Sequence, residues 1–174
     1  MSDLLDATPG GANANSFATR AQADDYFAGR LYSDDWTDAD EDTQERALIT
    51  ATQLIVAAVD WQGWPTSTTQ ALPMPRSGLR TRTGAVIPST VIPLALAYAT
   101  AEYARQLIRA GAMPTAPTDT AGLKRLKAGP VEIEWDGSAV AGADGSLPVD
   151  VLSMIGFLVE TWSRGRTCVP LERV

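Results

Sequence analysis

The sequence predicts a mainly α-helical chain: a four-helix bundle-like domain with a small inserted β-hairpin and a short strand element. Apolar residues recur at helical spacing in four separate stretches, as expected for amphipathic helices. An irregular segment rich in proline and glycine, about residues 62–91, divides the second stretch from the third and cannot hold a long helix. The 174 residues, 45% of them hydrophobic, suffice for one domain with a sizeable core.

The first two helices have capping residues at their expected starts. Thr19, with Gln22 three residues later, makes a capping-box pair that predicts a helix start. Thr37 is the predicted cap of the second helix, because the acids that follow it suit the positive end of a helix dipole. This helix is expected to end near Asp60 and Trp61, and its apolar stripe is Ala47 or Leu48, Ala51, Leu54 or Ile55, Ala58 and Val59.

The last two helices also have start and stop signals. Pro93 suits the first turn of the third helix, and Gly111 is the predicted C-terminal cap. Several alanines make this helix slim, so a neighbouring helix can pack close to it. The fourth helix is expected to begin at about residues 148–150 and to place Trp162 on its apolar face.

Two short β elements are expected between these helices. Residues 79–87 could form a small hairpin that turns near Thr83 and Gly84. Residues 131–135 alternate apolar and polar side chains, which predicts a strand, and residues 123–127 are its expected partner. An irregular insertion as long as residues 62–91 usually serves a function or contacts a neighbour.

The two ends of the chain are predicted to lie outside the helical domain of residues 17–163. Residues 1–16 are expected to form an extended N-terminal arm, either disordered or ordered only against a neighbour. Residues 164–174 are expected to form an extended tail that either docks on a partner or frays.

Composition excludes several function classes. The net charge is -7 and the isoelectric point about 4.5, which disfavours general binding to phosphate backbones. The chain has no histidine, so histidine-dependent catalytic triads are excluded and no enzyme is expected. Cys168 is the single cysteine, which excludes an intrachain disulfide and a cysteine zinc cluster. No signal peptide or membrane span is expected.

The acidic residues give no specific site. The cluster between Asp34 and Asp42 lacks the central glycine of an EF-hand loop, which favours a solvated loop followed by acids at a helix start. Glu132 and Glu134 lie two residues apart on one face of a strand, whereas glycosidase acids come from separate elements. No metal and no cofactor are therefore expected.

Basic and apolar residues of the irregular regions are the candidate subunit or portal interface. One basic cluster is Arg76, Arg80 and Arg82, and the other is Lys124, Arg125 and Lys127. Each is open to three interpretations: an ordinary solvated face, contact with an acidic neighbouring subunit, or contact with nucleic acid. Tryptophans at element ends could stack on bases but are more typical of burial or an interface. The candidate residues are Trp64, Met74, Arg76, Arg80, Arg82, Lys124, Arg125, Lys127, Val169, Leu171 and Arg173.

Several short runs resemble a phage and prophage family that is often labelled DnaT-like single-stranded DNA-binding protein. The most specific run is Leu-Pro-Met-Pro-Arg-Ser-Gly at residues 72–78. The resemblance covers roughly residues 14–160. The other runs are Ala-Asn-Ser-Phe at 14–17, Ala-Asp-Asp-Tyr-Phe at 23–27, Trp-Gln-Gly at 61–63 and Lys-Ala-Gly-Pro-Val-Glu-Ile-Glu at 127–134.

The layout of that family is similar to phage head–tail adaptor, or head-completion, proteins. The resemblance implies a virion structural protein that forms a homo-oligomeric ring, typically a dodecamer, beneath the portal protein. The ring would join the DNA-filled head to a tail-side connector or tail terminator protein, and DNA would pass through its lumen without specific binding. The expected location is the head–tail interface of the virion, and the host cytoplasm during assembly. The alternative implied by the label is a single-stranded DNA-binding replication protein.

Overall fold

The computed structural model describes residues 4–111, 125–128, 131–134 and 147–162. Helices predominate over short strands in these residues, and no helix among them is long and apolar enough to cross a membrane. The helices are α1 (Arg20–Ala28), α2 (Asp34–Thr37), α3 (Glu41–Ala58), α4 (Leu94–Ala110) and α5 (Val149–Ile155), and a 3-10 turn follows at Gly156–Leu158.

The strands form three separate antiparallel pairs. The first pair joins β1 (Val59–Trp61) to β6 (Val159–Trp162), and thereby ties the end of α3 to the segment after α5. The other pairs join β2 (Trp64–Pro65) to β3 (Arg76–Ser77), and β4 (Arg125–Ala128) to β5 (Val131–Glu134).

The core lies mainly between α3 and α4, which run antiparallel. The side chain of Gln44, near the start of α3, donates a 2.8 Å hydrogen bond to the carbonyl of Trp36 in α2. Arg105, in the last third of α4, lies 3.2 Å from Asp35 of the same short helix. The start of α3 and the end of α4 therefore meet at α2. Fully buried apolar residues between and beside these helices include Leu48, Ala51, Ile55, Leu96, Ala99, Ala101, Val151, Ile155 and Leu158.

The first and third predicted helices are confirmed. Thr19 and Gln22 form the reciprocal capping box of α1, with hydrogen bonds of 2.9 and 3.1 Å. Helix α4 follows Pro93 and ends at Gly111, whose φ of 62° is the left-handed conformation that glycine adopts at low cost.

The second predicted helix starts later than Thr37. Trp36 is buried against Phe27, with ring centroids 5.3 Å apart, and its burial draws the chain into the separate short helix α2. Helix α3 begins at Glu41, and Asp40 is its cap because a carboxylate oxygen of Asp40 accepts a 2.9 Å hydrogen bond from the Thr43 amide. Thr37 ends α2 instead.

The fourth predicted helix is shorter than expected, so the domain is not clearly a four-helix bundle. Helix α5 has seven residues and passes through the 3-10 turn into β6. Trp162 therefore pairs with Val59 in a strand ladder and does not lie on a helix face. The Val-Glu-Thr-Trp sequence of β6 is rich in the β-branched and aromatic residues that favour strands.

The N-terminal residues 4–16 form a folded loop of the domain, which corrects the predicted extended arm. Asn15 closes this loop, because its side chain accepts a hydrogen bond from the Asp6 amide and donates one to the Leu4 carbonyl, both 2.8 Å. The carbonyl of Gly11 accepts from the Ala71 amide at 3.0 Å, which anchors the loop on the insertion.

The predicted β elements are present in part. A single antiparallel bridge joins Arg80 to Val86, and Gly84 between them has a φ of 87°, so the hairpin exists but is minimal. Strands β4 and β5 pair as predicted, although β5 ends at Glu134. The predicted tail, residues 164–174, lies outside the described residues.

Thr52 provides a test of the packing between the N-terminal segment and α3. Its buried hydroxyl oxygen accepts a 3.2 Å hydrogen bond from the amide of Phe17. We expect Thr52→Val, which keeps the shape but removes the acceptor, to lower the free energy of unfolding by about 1–3 kcal/mol, since a buried amide is left unpaired.

Thr100→Val is the matched control for this measurement by denaturant unfolding. Thr100 is equally buried, but its hydroxyl donates to Leu96 in the same helix, where the carbonyl keeps its helical amide partner. Equal losses of stability in the two variants would contradict a specific role for the bond from Thr52.

Candidate functional site

Charge is unevenly distributed along the chain. Between Arg20 and Arg46 there are nine carboxylates and three arginines. Between Asp60 and Glu102, by contrast, there are three arginines and no carboxylate. We call residues 20–46 the acidic end and residues 62–91 the insertion.

The acidic end and the insertion lie at opposite ends of the α3–α4 pair. Helix α3 starts within the acidic end, beside α2, and leads through β1 into the insertion. Its 18 residues span about 27 Å at 1.5 Å per residue. Asp60 of β1 and Glu160 of β6 are carboxylates that lie closer to the insertion than the acidic end does.

The inner side of the insertion belongs to the hydrophobic core. Met74 is 1% exposed, and Leu79 and Ile87 are buried in the same cluster. The carbonyl of Leu79 accepts a 3.0 Å hydrogen bond from the Ile87 amide. Met74, a candidate interface residue from the sequence, therefore supports the insertion from inside its own chain and presents no surface to a partner.

Arg76 fastens the two halves of the insertion together. Its guanidinium donates hydrogen bonds to four backbone carbonyls, those of Trp61, Gln62, Gly63 and Pro73, of which the shortest is 2.6 Å to Gly63. Burial lowers the pKa of Arg76, opposed by the charge of Glu160. This candidate interface residue thus binds its own backbone.

The outer side of the insertion carries an exposed tryptophan. Trp64 is 72% exposed, and one part of its indole covers Gly78. A Cβ atom at Gly78 would lie 3.2 Å from the indole, and the φ of 87° there also favours glycine. The indole is therefore held on one side by the backbone and open to solvent on the other.

Two exposed arginines follow along the chain after Gly78, the glycine that the indole covers. Arg80, two residues after Gly78, donates a 2.8 Å hydrogen bond to the Gly84 carbonyl. Arg82 donates to the Ser153 carbonyl of α5, and its guanidinium lies 5.7 Å from the centroid of the Phe157 ring. We define the outer face as Trp64, Arg80, Arg82 and Val86, the last of which is 68% exposed.

The other candidate residues are placed only in part. Arg125 and Lys127 belong to β4, which establishes their backbone position and nothing about their side chains. Four further candidates lie outside the described residues: Lys124, Val169, Leu171 and Arg173.

A cleft at the acidic end was missed from the sequence. It has a volume of about 530 Å³ and is bordered by the loop between α1 and α2 and by the end of α4. Leu31 and Tyr32 of this loop are each 85% exposed, and Tyr32 has a φ of 59°, which is unusual for a tyrosine. Helical periodicity predicts that Leu31 lies on the apolar face of the first helix with Tyr26 and Phe27, which is wrong because α1 ends at Ala28.

Arg105 organises the wall of this cleft. Its guanidinium contacts Glu102 at 2.5 Å and Asp35 at 3.2 Å, and donates a 3.4 Å hydrogen bond to the Tyr32 carbonyl. Burial opposes the charge of Arg105, but the hydrogen bonds and charges of these carboxylates outweigh it and raise its pKa. Burial also raises the pKa of the neighbouring Tyr26 to about 12.

Comparison with known proteins identifies the family. A family model described as "Putative DnaT-like ssDNA binding protein" matches residues 4–174. The chain belongs to this family. No curated protein and no solved structure matches it.

Within residues 4–111 and the other described ranges, no group of three or more carboxylate, thiol or imidazole side chains could hold a metal ion. The acids between Asp34 and Asp42 belong to α2, to the turn after it and to the first turn of α3.

Arg76 gives a test of how the family member holds its insertion in place. We expect Arg76→Lys to lower the free energy of unfolding by about 1.5–3 kcal/mol, because an ammonium group cannot reach the four carbonyls that the guanidinium binds. Arg80→Lys is the control: Arg80 is exposed and makes one such bond, so little change is expected. Denaturant unfolding measures both variants. If the free energy of unfolding of Arg76→Lys equals that of the wild type, Arg76 does not hold the insertion in place.

Proposed function

We propose that this chain binds single-stranded DNA through the outer face of its insertion. Three observations support the proposal. The chain belongs to this family, the Trp64 indole has one face open to solvent, and Arg80 and Arg82 are exposed in a segment without carboxylates. An aromatic side chain beside cations is the combination that sequence-independent single-strand binding uses, because bases stack on the ring while phosphates meet the cations.

The separation of charge weakens the objection raised by the net charge of -7. The excess of carboxylates is concentrated at the acidic end, about 27 Å from the insertion along α3. Since the Debye length is about 8 Å at physiological ionic strength, most of the repulsion from those carboxylates is screened at the outer face. Asp60 and Glu160 lie nearer, so the attraction is modest and binding is expected to be weak and strongly salt-dependent.

Two variants separate the stacking contribution from the phosphate contribution. We expect Trp64→Ala to weaken binding of a labelled oligothymidylate by roughly fivefold to a hundredfold, the value of one stacked base, with an unchanged salt slope. Arg80→Ala should instead reduce the slope of log affinity against log salt by about 0.7, the contribution of one phosphate on a single strand. Fluorescence anisotropy over a salt series measures both quantities.

Arg46→Ala is the control for the loss of charge. Arg46 is an exposed arginine at the acidic end, where it pairs with Asp42 at 3.5 Å, and its removal should leave the affinity unchanged or slightly lower. If wild-type protein does not bind the oligonucleotide even at low salt, or if Arg46→Ala matches Arg80→Ala, single-strand binding at the outer face is wrong.

A second candidate function is that of a phage head–tail adaptor. The observation that favours it is the number of large apolar side chains left exposed at both ends of the domain, including Tyr32, Trp64 and Val86, which is typical of a subunit that is covered in an assembly. As an adaptor the chain would form a ring, such as a dodecamer, between the portal and a tail-side connector or tail terminator. It would be found at the head–tail interface of the virion, and in the host cytoplasm during assembly.

The C-terminal tail provides a test of the adaptor proposal. Residues 164–174 combine apolar and basic side chains, which suits docking on a partner surface. We expect truncation after Trp162, the last residue of β6, to leave the helical circular dichroism spectrum intact but to impair attachment to the portal. Normal particle yield with the truncated protein would exclude a docking role for the tail.

A further inference from the structure

The loop between α1 and α2 projects two large apolar side chains from the acidic end. Leu31 and Tyr32 are each 85% exposed, so their apolar surface contributes little hydrophobic free energy to the fold of this chain. The backbone of Tyr32 is in the left-handed region, with a φ of 59°, which persists in a non-glycine residue only when its surroundings hold it there. Arg105, bound to the Tyr32 carbonyl and to two carboxylates, supplies that hold.

The insertion contains a cleft of about 570 Å³ at the other end of the domain. Pro65, Leu72 and Pro73 provide its apolar lining, and Arg76 borders it. The cleft is open to solvent and the rest of its lining is threonine, serine, glutamine and alanine, so a tyrosine ring can lie in it against both apolar and polar side chains.

The loop and the cleft cannot meet within one chain. The loop lies at α2, beside the start of α3, whereas the cleft follows the end of α3, about 27 Å away. A contact between them therefore requires two copies, either head-to-tail, which is a heterologous interface, or as an antiparallel two-fold dimer in which the same contact is made twice.

Charge is complementary across this contact. Asp34 borders the same cleft as the loop, and Asp38 and Asp42 are further exposed carboxylates of the acidic end. The cleft belongs to the insertion, whose charged side chains are three arginines. Arg30 and Arg109 also border the loop, but the acidic end as a whole keeps six more carboxylates than arginines. Opposite charge on the two surfaces favours this pairing over contact between like ends.

We propose that the Leu31–Tyr32 loop of one copy docks in the insertion cleft of a second copy, in head-to-tail orientation. Tyr32 is the aromatic anchor, and the carboxylates beside it approach Arg80 and Arg82 of the neighbour. The proposal can fail separately from DNA binding, because Tyr32 belongs to the opposite end of the chain from the outer face, although Arg80 and Arg82 would serve both contacts. It would also supply the subunit contact that a ring adaptor requires.

The experiment uses full-length protein and one variant at each end of the contact. Tyr32→Ala removes the anchor, and Ala71→Phe fills the cleft from an exposed position in its lining. By sedimentation velocity at about 50 mM salt, wild-type protein should self-associate, and each variant should associate at least about tenfold more weakly, as expected for a buried aromatic anchor. Association of the wild type should weaken at about 500 mM salt.

Mixing the two variants identifies the head-to-tail geometry. Tyr32→Ala retains the cleft and Ala71→Phe retains the loop, so an equimolar mixture should form a heterodimer and nothing larger. A two-fold symmetric interface would stop at the dimer in the wild type as well, whereas head-to-tail docking extends the wild type beyond a dimer, so a wild type that stops at the dimer would contradict it. Leu94→Ala, an exposed leucine in neither the loop nor the cleft, should behave as wild type, and circular dichroism should show that every variant is folded.

The outcomes separate this proposal from the proposed single-strand binding. Head-to-tail docking is wrong if the wild type is monomeric at low salt, or if folded Tyr32→Ala associates as strongly as the wild type. It is also wrong if the two variants do not associate with each other when mixed. At protein concentrations where the wild type is monomeric, Tyr32→Ala should bind the oligonucleotide as the wild type does, since the outer face is intact. Loss of association with retained DNA affinity therefore supports docking alone, and absence of DNA affinity in the wild type leaves docking unaffected.

Discussion

Helix α4 presents small residues to its neighbours at Ala97, Ala99, Thr100, Ala101 and Ala104, all of them buried. A helix with such a surface lets another backbone approach closely, and α3 lies against it with Leu48, Ala51 and Ile55 in the core. This antiparallel pairing determines the positions of both candidate sites, because it carries the α1–α2 region to one end and the insertion to the other. A larger side chain in the α4 stripe would push α3 away and disturb both ends together.

The insertion depends on polar bonds to an unusual degree for a segment that is partly in the core. Met74, Leu79 and Ile87 bury its inner side, but its short strands provide few ladder bonds. Arg76 compensates by satisfying carbonyls of the neighbouring segments, and its planar, five-donor group suits that task better than any other side chain. A rigid support of this kind is what allows Trp64 to remain exposed and still keep one orientation over Gly78.

The sequence predicts the elements whose signals are local. The capping box of Thr19 and Gln22 and the glycine cap of α4 are recognisable because the bonds involved span three or four residues. The start of α3 was misplaced because burial of Trp36, a tertiary effect, ends a short helix at Thr37. Trp162 was assigned to a helix because its ladder partner, Val59, lies far away in the sequence. The roles of Met74 and Arg76 were likewise hidden, since the sequence of the insertion gives their chemistry but not the direction of their side chains.

The acidic composition acquires a different meaning once the two ends are distinguished. The net charge of the whole chain suggests a protein that repels DNA. The electrostatic potential of surface charges, however, decays within about 8 Å at physiological salt, so each end acts through its own charges. The insertion then attracts anions whether they are phosphates or the carboxylates of another copy. Both would use Arg80 and Arg82, so each bound partner neutralises charge that the other needs. Under the two proposals DNA binding and head-to-tail association therefore oppose each other, and by linkage the factor by which one weakens the other is the same in both directions.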